Sequence, residues 1–315
     1  MNNIAISVII PTHNNADTIL DAVGSCFSQD FDQPFEVVLL ADACTDDTVS
    51  LIKNFQKTHN NLVMFEVKNK SALKNRIEGA RKAKGEYLMF LDGDDAFVPH
   101  AFKTLYNAIK KSDADMVNAS FYIKTKKRTR KYAFNQDVLL NRNEAIRDLF
   151  KDLKMRAFMT TKIFKRELFL KIEILDALFK FDVGNFLYED LLTNFYYFLN
   201  VKKVRCIQEP VYIYNKTNEN SSTSSGYRRV IDHAMVKNMI RFKIEQINDP
   251  EIRKYFIKSK FRTQTLFLAD KVLAKFPNKD VRKTIISEAR HDFKNAYSKK
   301  FDVAKVVFNQ LIKEL

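Results

Sequence analysis

Three carboxylates, Asp92, Asp94 and Asp95, fall within four positions directly after the apolar run Tyr87–Leu91. Like charges this close repel one another and raise each other's pKa unless a cation sits among them. Gly93 lets the backbone turn tightly between Asp92 and Asp94, so the two form an Asp-x-Asp pair. Mg²⁺ characteristically takes one or two carboxylates and keeps its other positions for water and phosphate oxygens. Such a pair suits a metal–diphosphate complex better than a closed cage of protein ligands. A polar turn capping a helix would account for Asp94 or Asp95 alone. It accounts poorly for Asp42, a further acid that follows an earlier apolar run and whose two oxygens suit the N–H edge of a base or a ribose hydroxyl.

These groups must be held by the elements that precede them. Ile6–Ile10, Phe35–Leu40 and Tyr87–Leu91 are near-continuous apolar runs of strand length, and Leu62–Val67 is a further strand. Asp17–Phe27 shows helical spacing through Ile19, Val23 and Phe27. A second helix runs from Asp46 and Asp47, whose charges suit the positive end of its dipole, through Phe55. A third covers Ser71–Lys84, and Pro99, well placed in a first turn, opens a fourth that reaches Lys111. Strands apolar on both faces and separated by helices pair in parallel. In open parallel sheets ligands bind beyond the carboxyl ends of the strands. Pro11-Thr12-His13-Asn14, Asp42 and Asp92–Asp95 are then expected along one rim. Val117, Ala119, Phe121 and Ile123 alternate with Asn118, Ser120, Tyr122 and Lys124, which predicts a half-exposed strand at an antiparallel edge. From Tyr227 onward helical spacing takes over, as in Ile257, Phe261, Thr265, Leu268 and Val272, with breaks at Pro250 and Pro277. The reading is an α/β domain over residues 1–225 and a helical region over residues 226–315.

The chain has 315 residues, 46% of them hydrophobic, enough for one sizeable core and a second, smaller one. Its net charge of +15 is uneven: Gly226–Leu315 holds 21 Lys and Arg against 10 Asp and Glu. Such a field favours acidic lipid, nucleic acid or an anionic polymer. A solvated, Lys-rich helical surface explains it as well. Cys26, Cys44 and Cys206 are too widely spaced for a disulfide framework or a zinc site. The chain starts almost at once with strand-like residues rather than a leader, and no run approaches the roughly 18 apolar residues of a spanning helix. A reduced, cytoplasmic protein is expected.

The blocks ISVIIPTHNNADTILDAVGSCFSQDF, EVVLLADACTDDT and KGEYLMFLDGDDAF resemble the opening of the inverting family 2 glycosyltransferases. Those enzymes have the GT-A fold, a Rossmann-like, mostly parallel sheet with helices on both faces. The likeness is strong over residues 4–110 and continues more loosely through FMTTKIFKREL (158–168), FLYEDLLTNFYYF (186–198) and EPVYIYNKTNENSSTSS (209–225). Many bacterial members with this order of blocks build surface polysaccharide of capsule or cell wall. The resemblance implies that Pro11, Thr12 and Asp42 line a uridine pocket and that Arg76 approaches the diphosphate or sugar. It implies that Asp92, with Gly93, lies near the ribose and metal, and that Asp94 binds Mg²⁺ or Mn²⁺. Asp190 would be the catalytic base, with Glu189 beside it contacting acceptor or donor sugar. The chain departs from the family at Asn75-Arg76-Ile77, where Ala-Arg-Asn is common. It also departs at Met159-Thr160-Thr161-Lys162, which keeps the family's lysine without its Trp and Gly. No tryptophan occurs anywhere, so Tyr and Phe must do any sugar stacking.

The residue types suit this chemistry in their own right. A departing diphosphate gathers negative charge that a divalent ion stabilises. An acceptor hydroxyl is a poor nucleophile and needs a carboxylate to take its proton. Asp94 is the candidate for the first task and Asp190 for the second. A single attack opposite the diphosphate turns an α-linked donor into a β-linkage. Glu189 and Asp190 could instead simply start the helix that follows. Residues 218–226 are either an ordinary loop or a lid over the diphosphate, with Ser224, Arg228 and Arg229 reaching its oxygens. Lys124–Lys131 reads as a solvated hairpin; an acidic acceptor such as a teichoic acid or a charged capsule would also suit it. His13 is expected to make local hydrogen bonds, and Cys26 and Cys44 to be structural.

The expected partners are a nucleotide-sugar donor, UDP-linked by resemblance, a glycan or lipid-linked acceptor, and the inner membrane surface through the basic C-terminal helices. A sugar nucleotidyltransferase would need a Gly-rich, basic loop after the first strand, which PTHNNADT lacks. A nucleic-acid-binding protein would explain the charge but not the acidic rim, since acid repels phosphate unless metal intervenes.

Overall fold

The computed structural model describes residues 4–132, 137–151, 156–176, 187–217 and 228–259. Four strands, β1 (Ile6–Thr12), β2 (Phe35–Asp42), β3 (Leu62–Val67) and β4 (Tyr87–Phe90), pair in parallel in the order β3-β2-β1-β4. Helices α1 (Ile19–Phe27), α2 (Thr48–Gln56) and α3 (Ala72–Lys82) connect them. Each follows its expected position to within two residues. The Ser71 hydroxyl accepts the Lys74 amide and so caps α3. The short β5 (Ala96–Phe97) comes next, and α4 (Ala101–Ser112) starts two residues after Pro99.

Beyond β4 the sheet becomes mixed. β6 (Met116–Lys124) and β7 (Thr129–Tyr132) form an antiparallel hairpin, followed by β8 (Val138–Asn141), α5 (Arg142–Lys151), β9 (Lys162–Lys165) and the short α6 (Arg166–Phe169). After α7 (Glu189–Phe198) comes the long β10 (Lys203–Asn215). β9 runs antiparallel between β4 and β6, and β10 runs parallel to β6. The carboxyl ends of β1, β2, β4, β6 and β10 therefore share one rim. Pro210, with no N–H to give the ladder, lies where the β6–β10 register shifts.

The edge expected at Val117–Lys124 is not there. β6 is an interior strand, and both Asn118 and Ser120 are fully buried. Their polar groups are satisfied across the sheet: Asn118 Oδ1 accepts from the Thr161 hydroxyl at 3.4 Å, and the Ser120 hydroxyl reaches the Ile207 carbonyl at 3.5 Å. Alternation of polar and apolar residues here marks internal hydrogen bonding rather than exposure.

Apolar side chains fill both faces. Ile6, Val8, Ile10, Val37 and Leu39 pack with α1, α2 and α4 through residues such as Val23, Ile52 and Phe102. The opposite face packs with α3, α5 and α7, and with α8 (Arg228–Ile247) and α9 (Pro250–Lys258), through Ile77, Ile146, Phe195, Ile240 and Ile252. Gly79 brings α3 against the sheet, since a Cβ there would lie 2.5 Å from Ile9 Cγ2. Pro250 opens α9 instead of interrupting a helix, and Asp249 caps it by accepting the Glu251 and Ile252 amides. Ile257 is 47% exposed, so Ile252 and Phe256 carry the inward face of that helix. Phe261, Thr265, Leu268, Val272 and Pro277 lie outside the described residues. Among those described, no helix is long and apolar enough to cross a membrane.

Candidate active site

Asp92, Asp94 and Asp95 leave β4 together and meet different fates. Asp95 is buried, with its carboxylate accepting the Tyr212 hydroxyl and the Asn215 amide of β10, both at 2.7 Å. Burial first, and then the nearby Asp92, push its carboxyl up to about 8. Asp95 thus ties the strand-end turn to β10. Asp92 Oδ1 accepts from Arg76 Nη2 at 2.8 Å. The Asp94 carboxylate has no hydrogen-bond or ion-pair partner on another described residue. Its pKa is raised by burial and by Asp92. Gly93 keeps this turn tight against the end of β1: a Cβ would meet Asn15 Oδ1 at 2.9 Å and Thr12 Oγ1 at 3.0 Å.

Arg76 is the centre of the site. It lies on α3, one turn before Gly79, and is only 5% exposed. Besides Asp92 it reaches Glu189 Oε1 at 3.3 Å and Asp190 Oδ1 at 3.2 Å, both on the first turn of α7. One guanidinium faces three carboxylates, so Arg76 is held fully protonated, Asp190 and Asp92 outweighing the effect of its own burial. Its Nε is buried and has no hydrogen-bond partner among the described residues.

Glu189 and Asp190 keep about a fifth of their side-chain surface exposed, at 20% and 22%. Burial, then Asp190, push the Glu189 carboxyl up to about 7 against the pull of Arg76. Burial also raises Asp190, and Arg76 opposes it. Asp190 Oδ2 accepts the Met159 amide at 3.2 Å. The loop carrying that amide is pinned by Lys162, fully buried on β9, whose ammonium donates to the carbonyls of Arg156, at 2.7 Å, and Phe158. Tyr188, just before the pair, has a left-handed φ of 68°, an uncommon conformation for a bulky residue. The α8 helix holds it there. His233 packs edge-on to the Tyr188 ring, and Asp232 accepts the Leu187 amide at 2.8 Å.

The other expected residues lie along the same rim but make internal contacts. Pro11 and Thr12 are buried at the end of β1, and the Thr12 hydroxyl donates to Asn15 Oδ1 at 2.8 Å. Asp42 is buried, its carboxylate accepting the Lys70 and Ser71 amides and the Asn75 side-chain amide at 2.9–3.0 Å. It therefore anchors the start of α3, and with it Arg76. His13 donates to the Asp42 carbonyl at 2.6 Å, a local bond of the kind expected. Ser224, and the side chains of Arg228 and Arg229, lie outside the described residues. Missing from the expected set were the Met159 amide, Asn75, and Tyr212 with Asn215. An amide has no sequence signature, and the other three serve the site only through contacts across the fold.

Asp94, with Asp92 two positions before it, supplies the one or two carboxylates that a divalent ion takes from protein. No group of three or more His, Cys, Asp or Glu in ligating arrangement occurs among the described residues. Asp94 nonetheless has no partner on another described residue, and burial and Asp92 raise its pKa, as suits a carboxylate that would share an ion with phosphate oxygens. Glu189 takes up its proton as pH drops through about 7, which weakens its ion pair with Arg76, and kcat/KM is expected to change over that range. A kcat/KM profile from pH 5 to 9 checks this. A flat profile would mean that neither Glu189 nor Asp190 titrates in the free enzyme.

Comparison with known proteins follows the same outline. The glycosyl transferase family 2 model matches residues 7–172. Glycosyltransferase GlyG of Streptococcus pneumoniae serotype 4 is 25% identical over 255 residues, covering 78% of this chain and 80% of GlyG. The poly(ribitol-phosphate) beta-N-acetylglucosaminyltransferase TarS of Staphylococcus aureus is 24% identical over 260 residues, covering 81% of this chain and 43% of TarS. A solved structure of S. aureus TarS with UDP-GlcNAc superposes with a TM-score of 0.64 at 22% identity, over 82% of this chain and 74% of that one. A Pyrobaculum calidifontis mannosyltransferase with GDP-Man and Mn²⁺ superposes with a TM-score of 0.50 at 17% identity, over 98% of this chain and 84% of that one. These structures share the fold. The family match spans more than half of the chain and contains the strand-end carboxylates and Arg76, and the protein belongs to glycosyl transferase family 2.

Proposed function

We propose that the chain transfers a sugar from a UDP-sugar to a hydroxyl of a glycan or lipid-linked acceptor in bacterial surface polysaccharide synthesis, with inversion at the anomeric carbon. The observation that carries this reading is the convergence of Asp92, Glu189 and Asp190 on Arg76, with Asp94, which has no partner on another described residue, two positions beyond Asp92. The TarS complex with UDP-GlcNAc and the poly(ribitol-phosphate) named for TarS support the donor and the acceptor setting.

Asp190 is the base. Arg76 and the Met159 amide hold one oxygen each, so the carboxylate is oriented while part of it stays open to an acceptor. The acceptor oxygen bonds to the anomeric carbon as its proton passes to Asp190. The bond to the diphosphate breaks, and its electron pair leaves with the phosphate. Glu189 borders the same opening and is placed to accept a hydrogen bond from a sugar hydroxyl. Mn²⁺ or Mg²⁺ on Asp94, with Asp92 adjacent, would stabilise charge on the leaving diphosphate.

Titration calorimetry of UDP is the test. Binding is expected with Mn²⁺, to be lost with EDTA, and to weaken at least about tenfold in Asp94→Ala, one decade being about 1.4 kcal/mol. UDP binding that ignores both metal and the substitution would remove the ion from this account.

A further inference from the structure

A second feature on the same rim is built for anions. The β6–β7 hairpin and the segment after β10 enclose a groove of about 700 Å³. Lys126, Lys127, Arg128, Arg130, Lys131 and Lys216 make up six of its ten lining residues, and no acid lines it among the described residues. Elsewhere on the surface cations are commonly paired, as in Lys53–Glu66, Lys103–Asp30 and Lys203–Asp113. Lys127, Arg128, Arg130, Lys131 and Lys216 form no ion pair among the described residues. Gathering this much charge of one sign raises the energy of the folded chain, and a bound polyanion would lower it. A merely solvated hairpin calls for neither the concavity nor the uniform sign.

From this groove an aromatic path leads to the base. Tyr132, in the groove wall, stacks on Phe121 at 4.9 Å, and Phe121 meets Phe158 edge-on at 5.7 Å. Phe158 is 41% exposed and lies 6.4 Å from the Tyr214 ring, over which Lys216 sits. The residue after Phe158 is Met159, whose amide holds Asp190. Arg156, in the same loop, lies over the Tyr132 ring and donates to its hydroxyl, joining hairpin to loop. Cations suit phosphate groups, and the exposed Phe158 ring suits the C–H face of a sugar or polyol. Phe158 thus stands between the cationic groove and the loop whose amide holds Asp190. A lipid bilayer would meet a flat or convex patch and would have no use for that direction.

We infer that this groove is an acceptor subsite for a phosphate-bearing glycan or polyol-phosphate strand, whose free hydroxyl it delivers past Phe158 to Asp190. The inference rests on the glycosyltransferase reading of the carboxylate site. The test is fluorescence anisotropy of a labelled glycerol-phosphate octamer on the full chain and on a Lys127→Glu, Arg130→Glu, Lys216→Glu variant. All three side chains are exposed, so the fold should tolerate the change. The wild type is expected to bind the octamer with an affinity that falls as salt rises. The variant should bind at least tenfold more weakly, and the same positions changed to Gln should give an intermediate loss. Equal octamer binding by variant and wild type would overturn the proposal, as would equally tight wild-type binding of a neutral glucose octamer. Preferential loss of binding to phosphatidylglycerol vesicles, or to a single-stranded oligonucleotide, would overturn it in favour of a membrane or nucleic-acid surface. UDP binding with Mn²⁺, measured on both proteins, separates the two readings. Octamer binding without UDP binding would leave an anionic-polymer groove but remove its role as an acceptor subsite.

Discussion

Asp190→Asn is expected to lower kcat for sugar transfer by at least about 10²–10⁴-fold, the usual contribution of a positioned general base, while UDP still binds. Asparagine keeps the shape of the side chain and can still accept from Arg76 through its amide oxygen. What it loses is the ability to take the acceptor's proton and to accept the Met159 amide with its second atom. Removing one of three carboxylates around a single guanidinium lowers the repulsion in the cluster, so the variant should fold. Transfer assays and UDP calorimetry on the same preparation check both halves. Glu189→Gln is the comparison, with a smaller loss expected because the Met159 amide orients Asp190 and not Glu189. If Glu189→Gln were the more damaging change, the base would be Glu189 and Asp190 its neighbour.

Arg76→Met should cost stability as well as activity. Arg76 is 5% exposed and is the cation paired with Asp92, Glu189 and Asp190. Breaking a buried ion pair by removing one partner typically costs about 3–5 kcal/mol, because the remaining charge stays buried and uncompensated. The sign of the pH dependence follows from the direction of the shifts. Burial already raises the Glu189 and Asp190 pKa values, and Arg76 is the main group pulling them down. Without it they rise further. A carboxylate whose folded-state pKa lies above its unfolded value favours folding at low pH and loses that contribution as pH climbs through the folded value. The deficit of Arg76→Met should therefore be small near pH 5 and grow toward pH 8. Thermal unfolding of both proteins across that range measures it. A deficit independent of pH would mean that Arg76 acts through packing alone.

Much of this architecture is legible in short stretches of sequence. Ile6–Ile10, Phe35–Leu40, Leu62–Val67 and Tyr87–Leu91 are apolar runs whose strand character is local, and the spacing of Ile19, Val23 and Phe27 marks a helix within nine residues. Parallel pairing follows from that alternation, and the shared rim follows from parallel pairing. Hence Asp42 and Asp92–Asp95 could be expected at strand ends before any coordinates. β6 shows the limit of the same method. Its polar alternation reads as exposure, yet Asn118 and Ser120 are buried because neighbouring strands supply their hydrogen bonds. A one-dimensional pattern records polarity and not partners.

What only the tertiary structure decided is how the acids divide their work. Three Asp residues in a row of four look equivalent in sequence. In the fold Asp95 is spent on Tyr212 and Asn215, Asp92 on Arg76, and Asp94 has no partner on another described residue. Arg76 meets Asp190 across 114 positions, and the amide that orients Asp190 belongs to a loop pinned by a buried lysine. Residue types and strand ends follow from local polarity and backbone preference, which act over a few positions. Which charge faces which depends on α3, α7 and β9 packing on one sheet, a long-range outcome that no short stretch of the chain encodes.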